Sequence, residues 1–327
     1  MKSETRLLSA FGPRSAIRDP RWLLMLLLLP LTGCEWLKSG KEKDAPPKFI
    51  GPIPRREKGE LVAYLNQQAG LLRSVSYSDV SATIIENGSE LGTLNDSELF
   101  SAQPKYFRLI GKHTLGGRFI DIGSNDREFW MYAKPIGKDN FFYCSHDDFA
   151  RGGAQLPVPF DPDWVMMALG MTTYDPNAEY TTESREREGT YVLFQKTTTR
   201  KGDPVTKATV FNVDWNGGKQ PAVKSHMIYD ARNQLICNAT IKAVKNVAAR
   251  TDDNRRANLQ VPTHVILSWP QQKFEMDMRL GGDKVNEDFG DASAKIFQRP
   301  KISGSNPIDL ATYTFRPTSY RGQAPRR

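Results

Sequence analysis

The spacing of apolar positions changes along the chain, and each change marks a predicted element. Between residues 57 and 74, Leu61, Leu65, Ala69 and Leu72 recur at intervals of three and four, which puts them on one face of an amphipathic helix. From Val75 the period falls to two, in runs over residues 80–85, 106–110, 118–122, 128–132 and 140–143, the alternation of half-buried strands. Asn87-Gly88, Gly116-Gly117 and the Gly123-Ser-Asn-Asp stretch separate these runs. Their Gly and Asn residues tolerate positive φ, so hairpins are expected. The helical period returns over residues 161–171. There Asp161 or Asp163 supplies a cap, Trp164, Val165, Met167, Ala168 and Met171 the apolar positions, and Gly170 the end. Strands resume at 190–196, 207–213, 225–229, 235–244, 263–269 and 273–280, parted by turn residues such as Asn216-Gly217-Gly218 and those at 230–233. The expected fold class is mainly β with helices (α+β). One N-terminal helix, one inserted helix and roughly ten short strands predict a strongly curved antiparallel sheet or open barrel, with no repeat at a fixed period.

The ends follow other rules. Residues 34–56 are rich in Lys, Glu and Pro, including Pro46-Pro47, Pro52 and Pro54, which leaves too little apolar surface to pack and blocks both helix and ladder; they read as a tether. Residues 301–327, rich in Ser, Pro and Arg, read as a basic flexible tail in which Tyr313 to Phe315 can add an edge strand. Upstream, basic residues as far as Arg21 precede an apolar run at 22–31 that is too short for a permanent span, the form of an export signal over residues 1–33. Leu31-Thr32-Gly33-Cys34 resembles the lipobox of bacterial lipoproteins. That resemblance implies acylation of Cys34, cleavage before it, and anchoring of the mature chain to a membrane. Acyl chains contribute about 0.8 kcal/mol per buried methylene, so two or three suffice without a spanning helix. Glu35 follows, where the family pattern uses Asp for inner-membrane retention, so the implied location is the outer membrane, facing the periplasm.

Charge and chemistry narrow the function. The net +8 is carried by the ends: residues 1–60 contribute +5 and residues 300–327 contribute +4, leaving the body at −1. No nucleic-acid groove is therefore expected, and the basic ends read as solvated arms or contacts to anionic headgroups. Besides Cys34 the chain holds Cys144 and Cys237. An oxidising compartment permits a disulfide between them, while two buried thiols are the alternative. No Gly-x-Ser-x-Gly or Ser-x-x-Lys pattern stands in a fitting context, so no catalytic residue and no cofactor is expected. His113, His146, His226 and His264 stand alone and read as polar strand or loop residues, with no metal site expected. Asp121 with Asp126, and Asp283 with Glu287 and Asp288, carry oxygen ligands but lack the spacing of a calcium loop and read as solvated turns.

An incompletely closed barrel has a concave face that no second sheet fills, so a helix, a ligand or both must cap it. Trp164, Met167 and Met171 give the inserted helix an adaptable apolar face, and Trp130 and Tyr132 point to one side of their strand. These five are the candidate lining residues, and ordinary core packing is the competing reading. The stretches Tyr106-Phe-Arg-Leu-Ile-Gly and Phe119-Ile-Asp-Ile-Gly-Ser-Asn-Asp-Arg-Glu-Phe-Trp-Met-Tyr resemble the hairpin region of outer-membrane lipoprotein-sorting proteins, the Lol carrier superfamily. Pro262-Thr-His-Val-Ile-Leu-Ser-Trp-Pro, Met276-Asp-Met-Arg-Leu, Asn286-Glu-Asp-Phe and Phe297-Gln-Arg-Pro resemble its closing strands. The similarity spans residues 57–300. It implies an open half-barrel with helices on its concave face that binds lipid or lipoprotein acyl chains non-covalently, with a role in envelope lipoprotein sorting. Long loops near 152–162 and 248–257 depart from the compact carriers. The alternative expectation is an envelope scaffold lipoprotein that binds a protein partner and fills its own concavity.

Overall fold

The structure is a computed structural model that describes residues 56–113, 118–133, 141–152, 162–213, 220–250, 256–290 and 292–313. The export signal, Cys34 and the tether as far as residue 55 lie outside the described residues, as do the Gly116-Gly117 and Asn216-Gly217-Gly218 turns.

Helix α1 (Lys58–Leu71) opens the described chain and buries Leu61, Leu65 and Ala69, with Leu72 just beyond it, the stripe expected from their spacing, together with Val62 and Leu71. Six strands follow: β1 (Ser74–Glu86), β2 (Ser89–Ala102), β3 (Tyr106–His113), β4 (Arg118–Ser124), β5 (Glu128–Ala133) and β6 (Phe141–Ser145). Two short helices, α2 (His146–Ala150) and α3 (Pro162–Ala168), come next. Then come β7 (Tyr180–Arg185), β8 (Thr190–Thr198), β9 (Pro204–Asn212) and β10 (Val223–Asp230). β11 (Leu235–Arg250), β12 (Arg256–Trp269), β13 (Phe274–Val285), α4 (Ala292–Ile296) and β14 (Pro307–Asp309) complete the elements.

Among the described residues, fourteen strands form one sheet in the order β14-β6-β5-β4-β3-β2-β1-β13-β12-β11-β10-β9-β8-β7. Nearly all neighbours are joined by antiparallel ladders; β14 runs parallel to β6. The sheet curls without closing, an open half-barrel of the expected α+β class. Register shifts between Tyr77 and Val80 on β1, and between Ile241 and Ala243 on β11, place extra residues against the partner strand, which bends and twists it further. Curling brings the inner face of β1–β5 into one apolar cluster with that of β11–β13, and α3 lies in the same cluster. α1 covers the other half of the concave side, packing Leu61 and Leu65 among Tyr174, Tyr180, Tyr191 and Phe211. Asn87 and Gly88 take positive φ at the β1–β2 hairpin, as their sequence predicts.

Several elements differ from expectation. β2 contains Gly92 and Asn95-Asp96-Ser97, which look like turn residues; the chain absorbs them as an irregularity between β1 and β3, with Asp96 at φ 47°. β7 is an edge strand whose middle residues are exposed, so it has no inward apolar alternation to betray it. The described part of the long loop expected at 248–257 continues the β11 and β12 ladders, with Ala248 opposite Asn258 and Ala249 opposite Ala257, and residues 251–255 lie outside the described residues. The tail expected from residue 301 is also corrected. Residues 301–313 belong to the fold, where β14 pairs with β6 and Leu310 is fully buried against Phe129, Phe142 and Phe149. The expected edge strand at 313–315 lies, apart from Tyr313, outside the described residues.

Candidate functional site

Alternation along the strands builds a hollow beneath α3. Phe107 and Leu109 of β3, Ile120 and Ile122 of β4, and Met131 and Ala133 of β5 point into it from one arm of the sheet. Leu267 of β12 with Met276 and Met278 of β13 approach from the other, and Val165 of α3 covers it. Every one of these side chains is apolar. The enclosed room is about 110 Å³, within a wider hollow whose empty space, mouth included, totals about 840 Å³. A cavity of this lining offers water no hydrogen-bond partner and stays dry, so apolar matter is the occupant it favours. Leu91, on the β1–β2 hairpin, sits at the rim with 52% of its surface exposed, the largest exposed apolar side chain beside the cavity.

The residues expected to line this cavity fall elsewhere. Trp130 and Tyr132 occupy the opposite, convex face of β5, packed with Phe141, Tyr143 and Ile302. Their strand neighbours Met131 and Ala133 take the inner face instead. Polar pairing explains the choice: Trp130 Nε1 donates to Asp121 Oδ1 at 2.9 Å, and Arg108 grips the same carboxylate through Nε (3.1 Å) and Nη2 (2.8 Å). Arg108 Nη1 also donates to the Ile296 carbonyl at 2.6 Å, so α4 seals the group from outside. Asp121 is therefore half of a buried ion pair within β4, and not the solvated turn residue expected from the sequence. Gly123 makes the space: a Cβ there would lie 2.3 Å from the Trp130 ring. Arg299 pins the covering segment, stacking 3.7 Å over Tyr143 and pairing with Glu128 at 3.2 Å.

On α3, Trp164 is half-buried against the main core, and Met171 is buried just beyond the helix, its carbonyl accepting from Gln103 Nε2 at 3.2 Å. Met167 borders a second, smaller hollow with Tyr64, Tyr174, His226 and Pro262. Val165, another apolar position of this helix, is the residue of α3 that faces the large cavity. Gly170, at φ 77°, ends the turn, and Met171 N–H donates back to the Met166 carbonyl at 2.9 Å. Only that glycine conformation brings the chain round without strain. His226 lies on strand β10, as a strand or loop residue was expected to, and is buried; its Nδ1 lies 3.2 Å from Thr209 Oγ1, and burial, with Lys207 nearby, pushes its pKa down to about 4.

No disulfide joins Cys144 to Cys237. Cys144 lies on β6 among Phe129, Phe142 and Leu310, whereas Cys237 lies on β11 in the main core, in a different cluster and far along the strand order. Burial, with Asp309 and Asp148 close by, pushes the Cys144 thiol up to about 11. Ser124 Oγ comes within 3.4 Å of His146 Nε2, but this is not a nucleophile with its base. His146 Nε2 faces the Asn125 carbonyl at 2.8 Å and must carry the proton, while Nδ1 faces Arg200 Nη1 at 2.6 Å and must accept. The lone pair needed to activate Ser124 is turned away from it. Among the described residues, no three His, Cys, Asp or Glu side chains gather as a metal site would require.

The fold and cavity define a class: an open half-barrel holding a wholly apolar cavity bordered by a short helix. No known family's sequence model and no curated protein matches the chain. Among solved structures, a DUF1329 family protein from Desulfovibrio piger is similar at 11% identity and TM-score 0.48, over 74% of this chain and 98% of that one. A LolA superfamily protein from Nitrosomonas europaea gives 13% identity and TM-score 0.44, over 73% and 97%. A domain described as an outer membrane lipoprotein-sorting protein, from Vibrio parahaemolyticus, gives 10% identity and TM-score 0.44, over 72% and 96%. Structures of the superfamily named from the sequence are thus among those similar to this chain. At these identities and scores the likeness carries no functional argument, which has to come from the cavity.

Proposed function

We propose that this protein is an exported lipoprotein, anchored through acylated Cys34 at the periplasmic face of the outer membrane, that holds a lipid acyl chain or the acyl chains of another lipoprotein in the hollow beneath α3. The observation that carries the reading is the cavity itself: every lining side chain is apolar, and Leu91 continues the apolar surface to the rim. Burial at roughly 25 cal/mol per Å² of apolar surface makes such a hollow a favourable place for a chain, and needs no polar recognition group. The enclosed room of about 110 Å³ fits a short length of chain, so a longer one requires α3 to move outward. No covalent chemistry is part of this proposal. The scaffold alternative supposed an interior filled by the protein's own side chains, and the hollow weighs against it.

The test is native mass spectrometry of the mature chain, purified gently with Cys34 replaced by Ser, followed by extraction of bound material. Phospholipid or acylated peptide should co-purify, and Ala133→Phe, which puts a ring into the hollow, should reduce uptake of an added fluorescent fatty acid by tenfold or more while the protein stays folded. A clean apo mass with no uptake by the unsubstituted chain would sink the proposal.

A further inference from the structure

Arg200, in the turn between β8 and β9, reaches beyond its own strands to two helices. Its guanidinium forks onto the Asp163 carboxylate at the start of α3 through Nη2 and through Nε, the latter at 2.8 Å, while its Nη1 meets His146 Nδ1 of α2 at 2.6 Å. Beside it, Lys201 Nζ stands 4.7 Å over the Phe149 ring of α2. β8 and β9 lie near one end of the strand order, whereas β6, which α2 continues, lies near the other. The turn therefore fastens one arm of the open sheet to the helix of the opposite arm and to the helix that covers the hollow.

This fastening works in one protonation state. His146 Nε2–H is committed to the Asn125 carbonyl at 2.8 Å, so a second proton has to sit on Nδ1, where Arg200 already presents an N–H. An imidazolium there loses the hydrogen bond and faces a guanidinium at contact distance. We propose that Arg200, His146 and Asp163 form an acid-released clasp, which keeps α3 over the hollow at neutral pH and frees it when His146 is protonated.

Among the described residues, the charged groups that act on His146 are Arg200 from the β8–β9 turn, Lys105 from the β2–β3 turn and Asp163 from α3, while Lys201 of the same turn as Arg200 packs on Phe149 and Asp147 and Asp148 follow His146 on α2 itself. Asp148 is engaged by Ser145 and Arg151. Burial lowers the pKa of His146, as do Arg200 and Lys105, against the opposing pull of the Asn125 carbonyl and Asp163. With the closed form lower in pKa than the open one, the clasp has full strength above the ordinary histidine range. It weakens as pH falls through that range, by at most about tenfold per pH unit, until the pKa of the closed form is reached.

Hydrogen exchange of the full chain at pH 7.5 and 5.5, corrected for intrinsic rates, tests this without any ligand, so its outcome is separate from that of the lipid experiment. Protection of α3 should fall by up to about tenfold at the lower pH while that of α1 holds. In His146→Gln, whose amide can both donate to Asn125 and accept from Arg200 without titrating, the pH effect should vanish. In Arg200→Gln, altered in an outer turn, α3 should be poorly protected already at pH 7.5. Unchanged α3 protection in wild type, a parallel loss in α1, an equal loss in His146→Gln, or wild-type protection of α3 in Arg200→Gln at pH 7.5 would each overturn the clasp.

Discussion

The β4–β5 hairpin shows two faces made from alternating residues of one short stretch. Inward, Ile120, Ile122, Met131 and Ala133 present only carbon and sulfur and leave a hollow. Outward, Asp121, Gly123 and Trp130 interlock with Arg108 beneath α4, with each polar group of that contact paired and the indole seated where a glycine leaves room. The difference separates two tasks within the same strands. The outer face is tightly specified by hydrogen bonds and charge, whose loss is costly once buried. The inner face is specified only by being apolar, and its shape is left free for something that is not part of the chain.

Substitutions on the two faces should therefore separate stability from uptake. Asp121→Ala should have the largest effect, about 3–5 kcal/mol in denaturant unfolding, because it leaves the Arg108 guanidinium buried without its counter-ion. Uptake per folded molecule should stay near wild type; a loss of less than about 1 kcal/mol would mean that the Arg108–Asp121 pair does not hold the outer face together. Gly123→Ala follows at about 1–3 kcal/mol, the cost of overpacking against the Trp130 ring, read as a lower midpoint at unchanged m-value. Leu91→Ser, at the exposed rim, should change stability by no more than about 0.5 kcal/mol yet slow fatty-acid uptake several-fold in stopped-flow fluorescence. Uptake at the wild-type rate would move the entrance away from the β1–β2 hairpin.

Much of this was legible along the chain. The stripe of α1, the strands from β3 to β6 and the Asn87-Gly88 hairpin are periodicity and turn chemistry, local properties that a sequence carries openly. So was the short helix ending at Gly170. The lining of the cavity is not legible in this way, for a specific reason. Alternation showed that Trp130 and Tyr132 share a side, and by the same rule that Met131 and Ala133 share the other, but it does not label the sides. Trp130 was drawn outward by Asp121, and Asp121 by Arg108, partners on other strands. On α3, one turn of helix offers several apolar positions, and the choice of Val165 over Met167 for the large cavity depends on how the helix lies across β10 and β11.

The contacts at Arg200 mark the other limit of a linear reading. Nothing in Arg200, Asp163 or His146 taken singly distinguishes them from ordinary surface charge, and they meet because a curled sheet returns its last strands towards its first. β14 is similar, for a three-residue parallel pair has too few positions to show a period. What the sequence determined by itself was the class of element at most positions and the apolar character of alternate residues, since both arise from backbone sterics and from neighbours within a few residues. The tertiary structure alone decided which alternate set faced the hollow, whether two cysteines met, and which charges were joined, because each depends on groups far apart in the chain whose distances are set by the curvature of the whole sheet.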